Sequence, residues 1–318
     1  MGSNSRQVAF LFPGQGSQEV GMGRELAARY PAAAMVFEEA DDLVGFALSR
    51  LCWEGPAEEL NDTINTQPAL LCHSVAALRV LESVRPELRP NWLAGHSLGE
   101  FSALVAARAM SFPDALRLVR TRGEAMKAAG VRSPGGMAAV LGLELEAVEA
   151  ACAAAQAATG EAVQVANDNC PGQLVISGSK PALAAAIERL RANGARRVVE
   201  LAVSIAAHSA LMEPAQSELN RAIESTPISA PAIPVIGNVN AALLRSVAGI
   251  REELRSQLTS RVRWTETIQS MLRAGVTGFI ELGTRDVLSN LVRRIDREVN
   301  TAAVGDPAGI DRLSPEPS

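Results

Sequence analysis

The sequence predicts an α/β protein in two parts: a large α/β-hydrolase-like domain with a short parallel sheet, and a smaller ferredoxin-like unit inserted into it. Three observations carry this expectation. Short apolar runs alternate with helical stretches to about residue 130, the order in which helices cover a sheet. The pentapeptide Gly95-His96-Ser97-Leu98-Gly99 is a G-x-S-x-G sequence between the apolar Trp92-Leu93-Ala94 and the helical run Glu100–Ala106, the strand–turn–helix context of a nucleophile elbow. Between residues 131 and 203 the pattern changes to βαββαβ, a ferredoxin-like order.

Taken along the chain, Gln7–Phe12 is an apolar strand running into Pro13-Gly14-Gln15-Gly16. That glycine-rich turn lacks the third glycine of a dinucleotide fingerprint, and no ribose-binding acid can be assigned. Ala69–Leu78 reads as a mostly buried helix carrying His73. Ser111-Phe112-Pro113-Asp114 starts a further helix, with serine as N-cap, proline just inside and an acid in the first turn; it continues to Met126. In the small unit, Met137–Leu141 is strand-like, 144–157 helical, 162–166 and 173–177 strands, 180–194 helical, and Arg197–Leu201 the last strand. The large domain is therefore expected over residues 1–130 and 204–305 and the small one over 131–203. Residues 306–318, ending in a proline-containing polar stretch, are expected to form a disordered tail.

Composition narrows the function. The chain has 318 residues, 47% hydrophobic and 20% charged, enough to bury a full core. Net charge is −5, Lys127 and Lys180 are the only lysines, and no basic block is interleaved with aromatics, so nucleic acid is not an expected partner. No run of about 18 apolar residues is present and the start lacks a basic-then-apolar signal, so no membrane association is expected and the protein should be cytoplasmic. Met1-Gly2-Ser3-Asn4-Ser5-Arg6 has Arg6 where a myristoylation signal needs Ser or Thr, and reads as a flexible start. Cys52, Cys72, Cys152 and Cys170 are scattered, with neither zinc nor disulfide spacing.

A serine hydroxyl needs a neighbouring base, usually imidazole. The chain offers three histidines. His96 adjoins the serine on a sharp turn where successive side chains diverge, and His73 reads as a core histidine. His208 remains, in the small-residue loop Ile205-Ala206-Ala207-His208-Ser209-Ala210 after the strand-like Leu201-Ala202-Val203-Ser204; an ordinary surface histidine is the competing reading. Arg122 is out of place in a different way. Its helical neighbours three and four residues away are Leu118, Val119, Ala125 and Met126, so it lies on an apolar stripe and must be paired. Its partner is either an internal acid, which spacing slightly favours, or a carboxylate arriving with a substrate, which its planar fork suits.

These residues carry a resemblance. Phe12-Pro13-Gly14-Gln15-Gly16-Ser17-Gln18, Thr66-Gln67-Pro68-Ala69-Leu70, Gly95-His96-Ser97-Leu98-Gly99-Glu100, Arg122 and Ala207-His208-Ser209-Ala210-Leu211-Met212, in this order, resemble the malonyl-CoA:acyl-carrier-protein transacylases of fatty acid synthesis and the related acyltransferases of polyketide synthases. The resemblance implies Ser97 as nucleophile and His208 as base. It also implies an oxyanion hole from the Gln15 and Leu98 N–H groups, Arg122 holding the malonyl carboxylate, and the backbone carbonyl of Gln257 orienting the histidine. Gln67, Asn169 and Ala207 would lie at the acyl pocket. The implied substrates are malonyl-CoA and an acyl carrier protein whose phosphopantetheine brings the accepting thiol, with no metal or other cofactor. A free-standing acyltransferase serving a polyketide synthase shares these motifs, and a serine thioesterase or hydrolase shares the elbow and base. Two departures from the family stand out: Thr284-Arg285-Asp286 replaces a usual proline and glycine, and Ala207 precedes the base where relatives often have phenylalanine or serine. Arg196, Arg197, Arg261, Arg263, Arg293 and Arg294 are candidates for a carrier-docking patch.

Overall fold

The computed structural model of the chain describes residues 7–313 and is mixed α/β with two sheets. Its strands are β1 (Gln7–Phe12), β2 (Trp92–Gly95), β3 (Gly135–Leu141), β4 (Val163–Cys170), β5 (Gln173–Ser179), β6 (Arg197–Glu200), β7 (Val235–Ile236), β8 (Leu243–Leu244), β9 (Val262–Arg263), β10 (Val276–Leu282) and β11 (Asn300–Val304). The first sheet has the order β11-β10-β1-β2-β7-β8 and is parallel except for the β7–β8 pair. Central strands of a parallel sheet are covered on both faces, which is why β1 reads as the nearly unbroken apolar run Val-Ala-Phe-Leu-Phe. Phe10 and Phe12 point into the main core, and Ala9 and Leu11 into a second cluster with Trp264, Ile268 and Phe279. Around the sheet, the helix Thr63–Val84 is buried over most of its length and packs against the helix Phe112–Arg132.

Register places the candidate nucleophile. Phe12 pairs with Gly95, so the turns that follow β1 and β2 leave the sheet side by side at its carboxyl edge. Three glycines permit this approach. A β-carbon on Gly95 would lie 1.9 Å from the carbonyl carbon of Gly99, one on Gly99 would lie 2.0 Å from the carbonyl oxygen of Phe12, and one on Gly14 would lie 2.4 Å from the carbonyl oxygen of His96.

The second sheet has the order β6-β3-β5-β4-β9. Its first four strands and the helices Leu145–Thr159 and Lys180–Ala192 follow one another in the sequence order βαββαβ, and Val140, Val148, Ile176, Ile187 and Leu190 form a core of their own. The fifth strand was not legible. β9 comes from beyond residue 203 and pairs in parallel with β4 at Asn167↔Val262, a two-residue contact too short for any periodicity. β4 also runs past its expected end to Cys170, with register irregularities after Val165 and Asp168 that accommodate the polar Asn167-Asp168-Asn169.

The expected disordered tail from residue 306 is corrected. Asp306 caps a helix over Pro307–Arg312, accepting from the Gly309 N–H at 2.6 Å, and Ile310 is buried in the main core. A cap and a single apolar anchor suffice to hold one turn against the body, whereas composition averages them away. The expectations for Met1–Arg6 and for residues 314–318 lie outside the described residues. Among the described residues, no helix is long and apolar enough to cross a membrane.

Because the added methyl of Gly95→Ala meets backbone and not a movable side chain, this substitution should destabilise the protein by about 3 kcal/mol. A lowered midpoint in urea with an unchanged slope is the expected signature.

Candidate active site

Ser97 sits on the turn between β2 and the helix Gly99–Ala106 with φ 51°, a left-handed conformation that few non-glycine residues adopt. The strain is held in place by Asn238. Its Oδ1 accepts the Ser97 N–H at 2.6 Å while its Nδ2 donates to the Gly95 carbonyl at 2.8 Å, so one amide clamps both arms of the elbow. Asn238 follows β7, the strand beside β2, and nothing in its local sequence marks it.

His208 lies 111 residues along the chain and meets the serine, with Nε2 2.7 Å from Ser97 Oγ. Its Nδ1 faces two acceptors, the Gln257 carbonyl at 2.9 Å and the Ser260 carbonyl at 3.1 Å. Carbonyls can only accept, so the ring proton resides on Nδ1 and the Nε2 lone pair accepts from the serine hydroxyl. His208 too has a positive φ, 58°, and Gln164 fixes its loop by donating from Nε2 to the His208 carbonyl at 3.1 Å and to the Thr259 carbonyl at 3.2 Å. Burial, followed by the positive charge of Arg122, pulls the imidazole down from 6.5 to about 3, so it is neutral at physiological pH.

Arg122 is 1% exposed, as its place on the apolar stripe requires. Its Nη1 donates to Gln67 Oε1 at 2.7 Å, and its Nη2 donates to Ser97 Oγ at 3.1 Å and to Gln257 Oε1 at 3.0 Å. The guanidinium also lies 5.7 Å from the centre of the Phe101 ring. The internal ion pair that spacing favoured is not formed: among the described residues, no carboxylate lies within ion-pair distance of it. Burial lowers Arg122 to about 10, with Glu100 opposing, and the side chain remains a cation at neutral pH.

The remaining expected residues fall as follows. Gln67 is fully buried, donating from Nε2 to Thr63 Oγ1 at 2.9 Å and turning its oxygen to Arg122. Asn169 Oδ1 accepts from His96 Nε2 at 2.8 Å, so its partner is the neighbour of the serine and not the serine itself. Ala207 is half-buried beside His208. Gln15 is exposed on the turn after β1, and Leu98 is the first residue after the serine. His73 is buried and bonded through Nε2 to the Gly305 carbonyl at 2.9 Å, away from the elbow. Several of the surface arginines are engaged by neighbours: Arg261 pairs with Glu149, Arg263 with Glu266 and Arg293 with Asp286, while Arg294 donates to Gln173. Sequence reasoning missed Asn238, Glu100 and Glu253, which are buried, and Gln164 and Ser260, which are half-buried; all five are polar residues placed by contacts between distant segments. Among the described residues, no cluster of three or more His, Cys, Asp or Glu side chains is placed to hold a metal ion.

A hydroxyl on a strained elbow, a neutral imidazole accepting from it and a fixed cation beside it form a site capable of nucleophilic acyl transfer. Residues 9–309 match the family described as acyl transferase domain. The chain belongs to this family. A malonyl CoA-acyl carrier protein transacylase of Bacillus subtilis (strain 168) is 47% identical over 306 residues, covering 96% of this chain and 95% of that protein. The crystal structure of an acyl carrier protein S-malonyltransferase from Vibrio cholerae O1 biovar eltor is similar with a TM-score of 0.93 at 43% identity, covering 97% of this chain and 100% of that one. A type II PKS acyl-carrier protein has been solved in complex with its malonyl-transacylase; that structure matches with a TM-score of 0.93 at 42% identity, over 96% of this chain and 98% of that chain.

Since burial and Arg122 hold the His208 imidazole down at about 3, kcat/KM for acyl transfer should show no inflection between about pH 8 and pH 5. A single-turnover pH profile measures this. In Arg122→Ala, where a cation no longer opposes imidazole protonation, the acidic limb should move to higher pH.

Proposed function

We infer that the protein is an acyltransferase that moves a malonyl group from malonyl-CoA to the phosphopantetheine thiol of an acyl carrier protein, supplying extender units for fatty acid synthesis. The observation that carries this reading is the contact of both His208 Nε2 and Arg122 Nη2 with the single hydroxyl of Ser97, at 2.7 Å and 3.1 Å. A hydrolase of simple esters needs the first contact and has no use for the second. A substrate whose acyl group ends in a carboxylate needs both, because the buried guanidinium then gains its missing anion as the ester forms.

In this mechanism Ser97 Oγ attacks the thioester carbonyl and its proton passes to His208 Nε2. The Gln257 and Ser260 carbonyls hold the resulting imidazolium through its Nδ1–H. Gln15 and Leu98 N–H groups stabilise the tetrahedral oxyanion, a role consistent with the approach of Gly14 to the elbow. The C–S bond breaks, CoA leaves with the proton returned by His208, and a malonyl-serine ester remains. The carrier thiol then gives its proton to His208 and attacks the ester, and the released Ser97 oxygen recovers a proton from the imidazolium. Every step is a proton or acyl transfer between the chain and its two substrates, so the proposal assigns no metal or cofactor. Gln67 holds the guanidinium at the acyl pocket, Asn169 supports the elbow through His96, and Ala207 leaves space beside the base.

The finer description of the fold belongs to the same reading. We take the parallel sheet with its elbow as an α/β-hydrolase-like domain over residues 1–130 and 204–305, and residues 131–203 as a ferredoxin-like insertion, supported by the βαββαβ order and its separate core. The substrates are those of the cytoplasm, which is where we place the enzyme. One observation favours a second carrier: the similar malonyl-transacylase solved with a type II PKS acyl-carrier protein. Transfer rates to carriers of each pathway separate the two.

Brief exposure to malonyl-CoA followed by peptide mass spectrometry should locate the adduct on the Ser97 peptide, and Ser97→Ala should abolish it with the melting temperature little changed. An adduct of normal yield in that variant would overturn the assignment. His208→Ala should slow acylation on the order of 10³-fold or more. Arg122→Ala should lower kcat/KM for malonyl-CoA on the order of 100-fold while leaving acetyl-CoA much less affected. An unchanged malonyl-to-acetyl ratio would defeat the carboxylate reading.

A further inference from the structure

Beneath Arg122 lie two buried carboxyl groups that the transfer mechanism does not use. Glu100 opens the helix behind the elbow and is fully buried; Glu253 belongs to the helix Val247–Ser256 and is 7% exposed. The two carboxyl groups are close enough that each shifts the ionisation of the other. A hydrogen bond between them requires a proton on one partner, because two carboxylates offer only acceptors. The surrounding donors assign that proton. Glu253 Oε1 accepts the Val239 N–H at 2.6 Å, a donor that Glu100 lacks, while the Asn238 backbone N–H acts on both carboxyl groups. Glu100 accepts one side-chain N–H, from Gln257 Nε2 to its Oε2 at 2.6 Å, the Asn238 backbone N–H also acts on its carboxyl group, and its Oε1 has no partner among the described residues. An oxygen with no donor pointing at it is the natural site of the hydroxyl. Space for the pair is built into the chain, since a β-carbon on Gly237 would lie 2.6 Å from the Glu253 carboxyl carbon.

The consequence reaches the site through Gln257. Its Nε2 donates to Glu100 Oε2 and to the Ser97 carbonyl at 3.1 Å, which turns its Oε1 toward Arg122 Nη2. An amide thus stands between the guanidinium and the nearest carboxyl group. We propose that Glu100 is a positioning residue that acts as a neutral carboxylic acid: it donates to Glu253, fixes the Gln257 amide, and leaves the charge of Arg122 free for a substrate carboxylate. Burial and the neighbouring Glu253 both raise Glu100 well above the usual carboxylate range, in the direction this requires. The alternative, an ionised Glu100 serving as counter-ion, would place two adjacent anions in the core and satisfy Arg122 before substrate arrives. The inference rests on the reading of Arg122 as the malonyl-binding cation.

Glu100→Gln and Glu100→Ala, assayed with malonyl-CoA and acetyl-CoA, separate these cases. Gln keeps one acceptor for Gln257 and one donor for Glu253, so Glu100→Gln should retain malonyl KM and kcat to within about threefold. Glu100→Ala frees the amide and should raise malonyl KM on the order of tenfold with acetyl kcat/KM much less changed. A Glu100→Gln enzyme as impaired as Glu100→Ala, or a Glu100→Ala enzyme with an unaltered malonyl KM, would overturn the proposal. Infrared difference spectra between the wild type and Glu100→Gln provide the measurement that does not depend on catalysis or on the folding of the alanine variant. A protonated carboxyl band lost on substitution is expected; loss of a carboxylate band instead would overturn the proposal. Failure of the Arg122 reading would show separately, as an unchanged malonyl-to-acetyl ratio in Arg122→Ala while the infrared result stands.

Discussion

The site is organised around a positive charge held in the core without an anion of its own. Burying a guanidinium is costly, and the usual remedy is a carboxylate partner. Here the charge is spread instead over neutral oxygens, those of Gln67, Gln257 and Ser97, and the face of Phe101. Its Nε has no partner among the described residues. Incomplete satisfaction of this kind is a standing attraction for an anionic ligand, and it is maintained only because the surrounding helices leave Arg122 nowhere else to go.

The same charge sets the chemistry of its neighbour. A cation close to His208 disfavours imidazolium, which keeps the base ready to accept a proton but would hinder the step after acceptance. Two carbonyls answer this. The Gln257 and Ser260 oxygens turn partial negative charge toward Nδ1 without introducing a full anion beside Arg122. An aspartate in that position would favour imidazolium more strongly, and would also offer the guanidinium a resident counter-ion. Neutral oxygens around both groups are therefore one solution to two requirements.

Strain is distributed where the chain must turn sharply. Ser97 and His208 both occupy left-handed conformations, each costing about 1–3 kcal/mol, and each is over-determined by polar clamps, Asn238 for one and Gln164 for the other. The unusual loop Thr284-Arg285-Asp286 follows the same logic at a distance from the serine. Arg285 has φ 65°, a conformation that favours glycine, and Thr284 and Arg285 are tied to Glu19 at 2.9 Å and 3.2 Å. Local bonding thus holds this loop in its strained conformation.

What the sequence by itself determined was local: the strand–turn–helix around Ser97, the capped start of the helix Phe112–Arg132, the βαββαβ order, and the apolar stripe that makes Arg122 anomalous. Each depends on periodicity or on side chains within a few residues, so each is written in consecutive letters. Tertiary structure decided everything that depends on which distant segments meet. Spacing favoured an internal acid for Arg122, yet the fold interposes Gln257 between it and Glu100. Asn238, Gln164, Ser260 and the Glu100–Glu253 pair carry no local signature, because a polar residue becomes a clamp only when another segment supplies its partner. β9 and the capped helix Pro307–Arg312 were missed for the same reason: elements this short are stabilised by docking, and the energy of docking resides in the surface they meet.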